Sequence, residues 1–191
     1  CDLIDIAKRS GAQTISLIPN NDGKIETINE REAKLKFALN EIKPILEEAK
    51  MVALLEPLGF ETSSMRTKEQ AIDAIDYVGG SSVFKLVHDT FHHHLAQEKQ
   101  IFPKHTKIVH ISGVIDRGLS INEMQDRHRE LIDVNDVLGN IEQIKNLTDK
   151  GYDGPISFEV FSPDVHNSKN VKEQIKNSLH FIQSLTESQQ F

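Results

Sequence analysis

The chain has a single cysteine, Cys1, so it cannot close an internal disulfide. It also has no apolar run long enough to span a membrane and no signal-peptide pattern. Together these absences predict a reducing, cytoplasmic setting without a membrane partner. Basic residues are not in excess: 22 Lys and Arg stand against 29 Asp and Glu, a formal net charge of −7. That balance removes the general attraction to phosphate backbones and predicts no nucleic-acid partner. No GxGxxG segment offers a nicotinamide site, and neither a fixed-period repeat nor a low-complexity stretch is visible. An initiator methionine is missing too. The first residues, Asp2 to Lys8, read as a helix already under way, so upstream elements of the fold are expected to be absent.

What is present is the composition of one ordered domain, with 38% hydrophobic and 27% charged residues over positions 1–191. From residue 11 onward short apolar runs alternate with amphipathic stretches, the pattern of strand and helix units around a parallel sheet. Strands are predicted at Thr14–Ile18, Met51–Glu56, Phe84–Asp89, Lys107–Ile111 and Pro155–Phe161. Helices are predicted over 27–50, where Leu35, Leu39, Ile42 and Leu46 share a face, and after Thr67, which caps a run carrying Ala71, Ile72, Ile75 and Val78. A closing helix over 171–186 presents Val171, Ile175, Leu179, Ile182 and Leu185. Pro19 to Gly23 and Pro163-Asp164 mark loops. Parallel strands covered by helices form either an open doubly wound sheet or a closed barrel. A closed barrel usually takes about 250 residues, so this chain would supply only its later part.

Four of the five strands end in, or just past, a residue that can ligate a metal: Glu56, Asp89, His110 and Glu159. Strands of a barrel run the same way, so the residues at their C-terminal ends ring one mouth. A charge placed there after several apolar residues is costly unless it is paired or bound to a metal. Three carboxylates and an imidazole suit one hard or borderline divalent cation, Mn²⁺, Co²⁺, Zn²⁺ or Mg²⁺.

The segments that carry these residues are Leu55-Glu56-Pro57-Leu58-Gly59-Phe60, Leu86-Val87-His88-Asp89-Thr90-Phe91-His92-His93, Val109-His110-Ile111-Ser112-Gly113-Val114 and Gly151 to Glu159. In kind and in order they resemble the xylose-isomerase-like family of sugar isomerases and epimerases, in particular its inositol-catabolism members, the 2-keto-myo-inositol isomerases. The resemblance covers essentially the whole chain. It implies a (β/α)8 TIM barrel, N-terminally truncated, with strands four to eight present. It also implies a cation held by Glu56, Asp89, His110 and Glu159, His92 beside the substrate, and Glu56 and Glu159 as the acid/base pair that moves a proton through an enediolate. Arg129, more than Arg117, is the implied substrate contact in the polar connection after the seventh strand. The implied partner is a small sugar or inosose, with homo-oligomer formation left open. The rivals are an inosose dehydratase of the same fold, an apurinic endonuclease with a three-zinc cluster, and a barrel kept for sugar binding alone. The acidic balance and the single-cation ligand set count against the endonuclease.

Two further expectations concern histidines. His93 and His94 follow His92, and consecutive side chains diverge, so the tract is not a metal site by itself, with His93 a weak second to His92. His88 precedes Asp89 in a strand and is expected to point into the helix layer as a structural residue.

Overall fold

The computed structural model describes residues 2–24 and 26–186, so Cys1 lies outside the described residues. The chain divides into two compact units, Cys1–His88 with His105–Lys107, and Asp89–Lys104 with Ile108–Phe191.

The first unit begins with α1 (Asp2–Ser10) and β1 (Thr14–Leu17). Next comes α2 (Ile28–Ala49), whose first turn is fixed by a reciprocal cap. Glu30 N–H donates to Thr27 Oγ1 at 3.3 Å, and Thr27 N–H donates to the Glu30 carboxylate at 2.9 Å. The helix stops at Lys50, which takes a left-handed φ of 53° so that its N–H can return to the Glu47 and Leu46 carbonyls. Its inward stripe includes Leu39 and Leu46. Then come β2 (Val52–Leu55) and α3 (Lys68–Tyr77), the latter capped by Thr67 as its sequence predicts, and after them β3 (Phe84–Asp89). β1 and β2 pair in parallel with Leu17 opposite Leu55, and β2 and β3 with Leu55 opposite Leu86. Beyond β3, Leu86 N–H donates to His105 O at 2.8 Å, which leads β4 in alongside.

The second unit holds α4 (Thr90–Ala96), most of β4 (Thr106–Ile111), α5 (Asn140–Asp149), β5 (Ile156–Phe158), α6 (Pro163–His166) and α7 (Val171–Thr186). β4 and β5 are parallel, with His110 opposite Ser157. Strand order is therefore chain order, β1-β2-β3-β4-β5. An open doubly wound sheet reverses direction at a switch point; an unreversed order of βα units is how a barrel winds. The core of this unit joins Val109 and Ile111 of β4 to Ile144 and Leu147 of α5 and Ile182 of α7, with Ile132 and Tyr152 closing it.

Two local expectations are corrected. Pro163 and Asp164 start a short helix, α6, rather than a loop, because proline at the first helical position lacks only an N–H that the helix leaves unbonded anyway. In α7 Ser178 and Ile182 are buried and Val171 and Ile175 half-buried, while Leu179 and Leu185 stand 42% and 39% exposed. Ser178 tolerates burial because its hydroxyl donates to Ile132 O at 2.7 Å. The polar connection between β4 and α5 has local structure of its own. It forms two 3-10 turns, Ile121–Glu123 and Asp126–His128, and buries Met124, Arg129, Ile132 and Leu138. Among the described residues no helix is long and apolar enough to cross a membrane.

Candidate metal centre

β3 ends on Asp89, which is also the N-cap of α4. One carboxylate oxygen accepts from the backbone N–H of His92 at 2.9 Å, satisfying a donor that the first helical turn leaves unbonded. The other oxygen is thereby turned away from the helix. His110 lies next to the end of β4, and Glu159 follows directly on β5, its N–H continuing the ladder to Ile111 O at 2.9 Å. The pairing of β4 with β5 thus sets His110 and Glu159 side by side, and His110 Nδ1 sits 3.4 Å from Glu159 Oε2. Asp89, His110 and Glu159 each offer one ligand atom, and these atoms lie within 4.8 Å of one another.

Arg129 completes this cluster. It is 1% exposed, and its Nη2 donates to Asp89 Oδ2 at 2.5 Å and to Glu159 Oε2 at 2.7 Å, while Nε donates to Ser112 Oγ at 3.0 Å. The guanidinium lies over the rings of Phe91 and Phe161, 5.1 and 4.9 Å from their centroids. Its backbone is held equally well. Arg129 O accepts from Phe161 N–H and Ser162 N–H at 3.0 and 2.9 Å, and the next residue, Glu130, exchanges two 2.7 Å hydrogen bonds with Gly113. Ser112 is itself fixed, its carbonyl accepting from the buried Asn140 amide at 2.8 Å.

Charge explains how two carboxylates share so small a volume. Burial pushes the Glu159 carboxyl up, but the hydrogen bond from His110, the Arg129 guanidinium and the hydrogen bond with Asp89 overcome this and hold it at about 2. His92 is buried at 4% exposure, and desolvation keeps its imidazole below the usual histidine range despite nearby Asp89. The donor set, two carboxylates and an imidazole gathered within 4.8 Å, is of the kind that takes a divalent cation.

The structure thus brings Asp89, His92, His110, Arg129 and Glu159 together in the second unit. Glu56 follows β2 in the first unit, 4% exposed, with its N–H donating to Leu17 O at 3.3 Å. Arg117 is exposed. His93 Nδ1 faces Glu98 Oε2 at 3.8 Å, so the three consecutive histidines do diverge, and His88 is fully buried. Sequence reasoning did not find Ser112, Phe91 or Phe161 as the surroundings of Arg129. The one hint was that Ser112 follows directly on β4.

Strands wound in chain order, with a carboxylate-histidine cluster just past their C-terminal ends, define a (β/α)-barrel protein with a metal-type site. The chain belongs to the xylose isomerase-like TIM barrel family, whose profile matches residues 1–185. No curated protein sequence matches it. Among solved structures it is similar to a xylose isomerase domain-containing protein of Salmonella typhimurium LT2, with 31% identity over 95% of this chain and 67% of that one and a TM-score of 0.84. It is also similar to the IolI protein with a bound zinc atom, at 21% identity over 98% of this chain and 67% of that one, TM-score 0.84. A third likeness is to D-psicose 3-epimerase with D-tagatose from Clostridium cellulolyticum H10, at 17% identity over 97% and 68% of the two chains, TM-score 0.71. The last two speak to the fold alone.

Proposed function

We propose that this chain carries the catalytic site of a metal-dependent isomerase or epimerase of a sugar or ketoinositol, with 2-keto-myo-inositol as the leading substrate. The observation that carries the reading is the convergence of Asp89, His110 and Glu159, with their ligand atoms within 4.8 Å and the two carboxylates sharing one buried arginine. Glu56 is the proposed fourth ligand: it leaves the end of β2, which lies beside β3, the strand that ends in Asp89. Two structures of the same fold, IolI with a bound zinc atom and D-psicose 3-epimerase with D-tagatose, hold ligands of the proposed kind.

A cation bound there would polarise a carbonyl and its neighbouring hydroxyl. The protein does the rest. Glu159 takes the proton from the carbon beside the carbonyl; the C–H electron pair becomes the carbon–carbon double bond and the carbonyl π pair moves onto its oxygen. Glu56, entering as the protonated acid, returns a proton to the opposite face, or to the adjacent carbon as the neighbouring hydroxyl passes its proton to that oxygen and becomes the new carbonyl, and exchange with solvent resets both carboxyls. A carboxylate held at about 2 is a weak base, so Arg129 matters to the timing. When substrate oxygens take over its guanidinium, Glu159 loses a positive neighbour and gains basicity. His92 and Arg129 orient the substrate. No hydride acceptor is needed.

The test is a product screen with Mn²⁺ or Co²⁺ on ketoinositols and ketoses in D₂O, followed by NMR. Deuterium at the carbon next to the ketone, with turnover falling about 10²- to 10⁴-fold in Glu159→Gln, is the expected result. Loss of water from the product points instead to a lyase, and a Glu159→Gln protein with full activity removes the mechanism.

A further inference from the structure

A second site lies wholly within the first unit. Between α2 and the ends of β1 and β2 is a cavity of about 410 Å³, a volume in the range of small-ligand sites. Its walls are largely aliphatic, with Leu17, Leu35, Leu39, Ile42, Leu55 and Met65 facing in. The loops that rim it are tied to each other, since Ser64 N–H donates to Asn20 O at 2.8 Å and Leu58 N–H to Met65 O at 3.1 Å.

One charge is out of place here. Arg31 lines the cavity and is 9% exposed, yet its guanidinium makes one hydrogen bond, from Nη2 to Glu61 O at 2.9 Å. Its Nε is buried without a partner, and no carboxylate of the described residues lies within ion-pair distance. Glu26, on the same rim, is engaged by Lys34. A buried cation without a counter-ion is among the costlier arrangements a core can hold, and an anion that reaches it is favoured for that reason. Arg129, by contrast, has carboxylates on its guanidinium.

We propose that this cavity binds a small monocarboxylate with an aliphatic body, its carboxylate on Arg31 and its chain against Leu35, Leu39 and Met65. The planar guanidinium matches a carboxylate, and the walls exclude a fully hydrophilic anion. This goes beyond the sugar chemistry of the second unit and does not depend on it.

The test uses the 191-residue chain with octanoate as probe, followed by calorimetry and by methyl NMR of the leucines and methionines. Octanoate is expected to bind and to shift Leu35, Leu39 and Met65, whereas neutral octanol and inorganic phosphate bind at least tenfold more weakly. Arg31→Met is expected to weaken octanoate on the order of tenfold to a hundredfold, the range of a lost charge-assisted hydrogen bond. Ala38→Trp, at an exposed α2 position on the lip of the cavity, keeps the test sound if Arg31→Met does not fold, and is expected to block binding. Phosphate binding as tightly as octanoate, octanoate shifting no cavity residue at 10-millimolar order, or a folded Arg31→Met or Ala38→Trp protein that binds like the parent overturns the proposal.

Discussion

Replacing Arg129 by methionine isolates the electrostatics of the candidate metal centre. Methionine is flexible and fills much of the same space between Phe91 and Phe161, so lost packing is the smaller effect. What disappears is the cation that meets Asp89 at 2.5 Å and Glu159 at 2.7 Å. The side chain of Asp89 is 1% exposed and has no water to turn to, whereas Glu159 is 30% exposed and keeps His110. Asp89 therefore dominates the cost. Removing one partner of a buried pair costs about 3–5 kcal/mol, and urea unfolding near pH 7 without added metal should show a loss of that size.

Acid adds a second signature. The Glu159 carboxyl is lowered from 4.5 to about 2, so its contribution is fully present above 4.5 and drains away as pH falls from 4.5 toward 2. At about 1.4 kcal/mol per pH unit the depression sets a ceiling of about 3 kcal/mol, which solvent screening of this partly exposed carboxylate lowers. Arg129 supplies part of it, so Arg129→Met should lose less stability than the parent across that window. Millimolar Mn²⁺ should return stability to the variant, by about 2.7 kcal/mol when free metal is a hundred times its dissociation constant. A loss below about 1 kcal/mol at pH 7, together with an unchanged acid slope, refutes the account, because a surface arginine would behave so.

Gly113→Ala places a Cβ 3.0 Å from Leu131 O and 3.2 Å from Ile132 Cα, backbone atoms that cannot rotate away, so thermal unfolding should show a loss of about 1–3 kcal/mol. Leu147→Ala, in the core of the second unit at 1% exposure, should cost about 2–5 kcal/mol by denaturant titration, and a loss under 1 kcal/mol means that the site collapses around the gap. His92→Ala should cut turnover of the screened ketose strongly in the folded fraction. If it lowers only the melting temperature, the histidine serves the fold through its edge-on contact with Phe91.

Strand ends were legible in the sequence because the signal is local: an apolar run stops at a charged residue, and Asp89 ends β3 just where the apolar pattern predicts. The surroundings of Arg129 were not. Its partners Ser112, Glu159 and Asp89 lie 17, 30 and 40 residues away in the chain, and only the folded connection after β4 brings them together. Likewise α4 has seven residues, three of them histidine, and too little apolar periodicity to announce a helix. The Asp-x-x-His spacing nevertheless has a physical meaning that the structure supplies. Three residues is the distance from an N-cap to the third helical position, and that is the relation of Asp89 to His92. The aspartate that starts the helix is oriented by the backbone N–H of the histidine, and the histidine side chain is aimed by the helix so started. A substitution that keeps a cap without a charge, Asp89→Asn, should therefore preserve α4 and the placement of His92 while weakening Arg129 and any bound cation, which separates the two tasks that one residue performs.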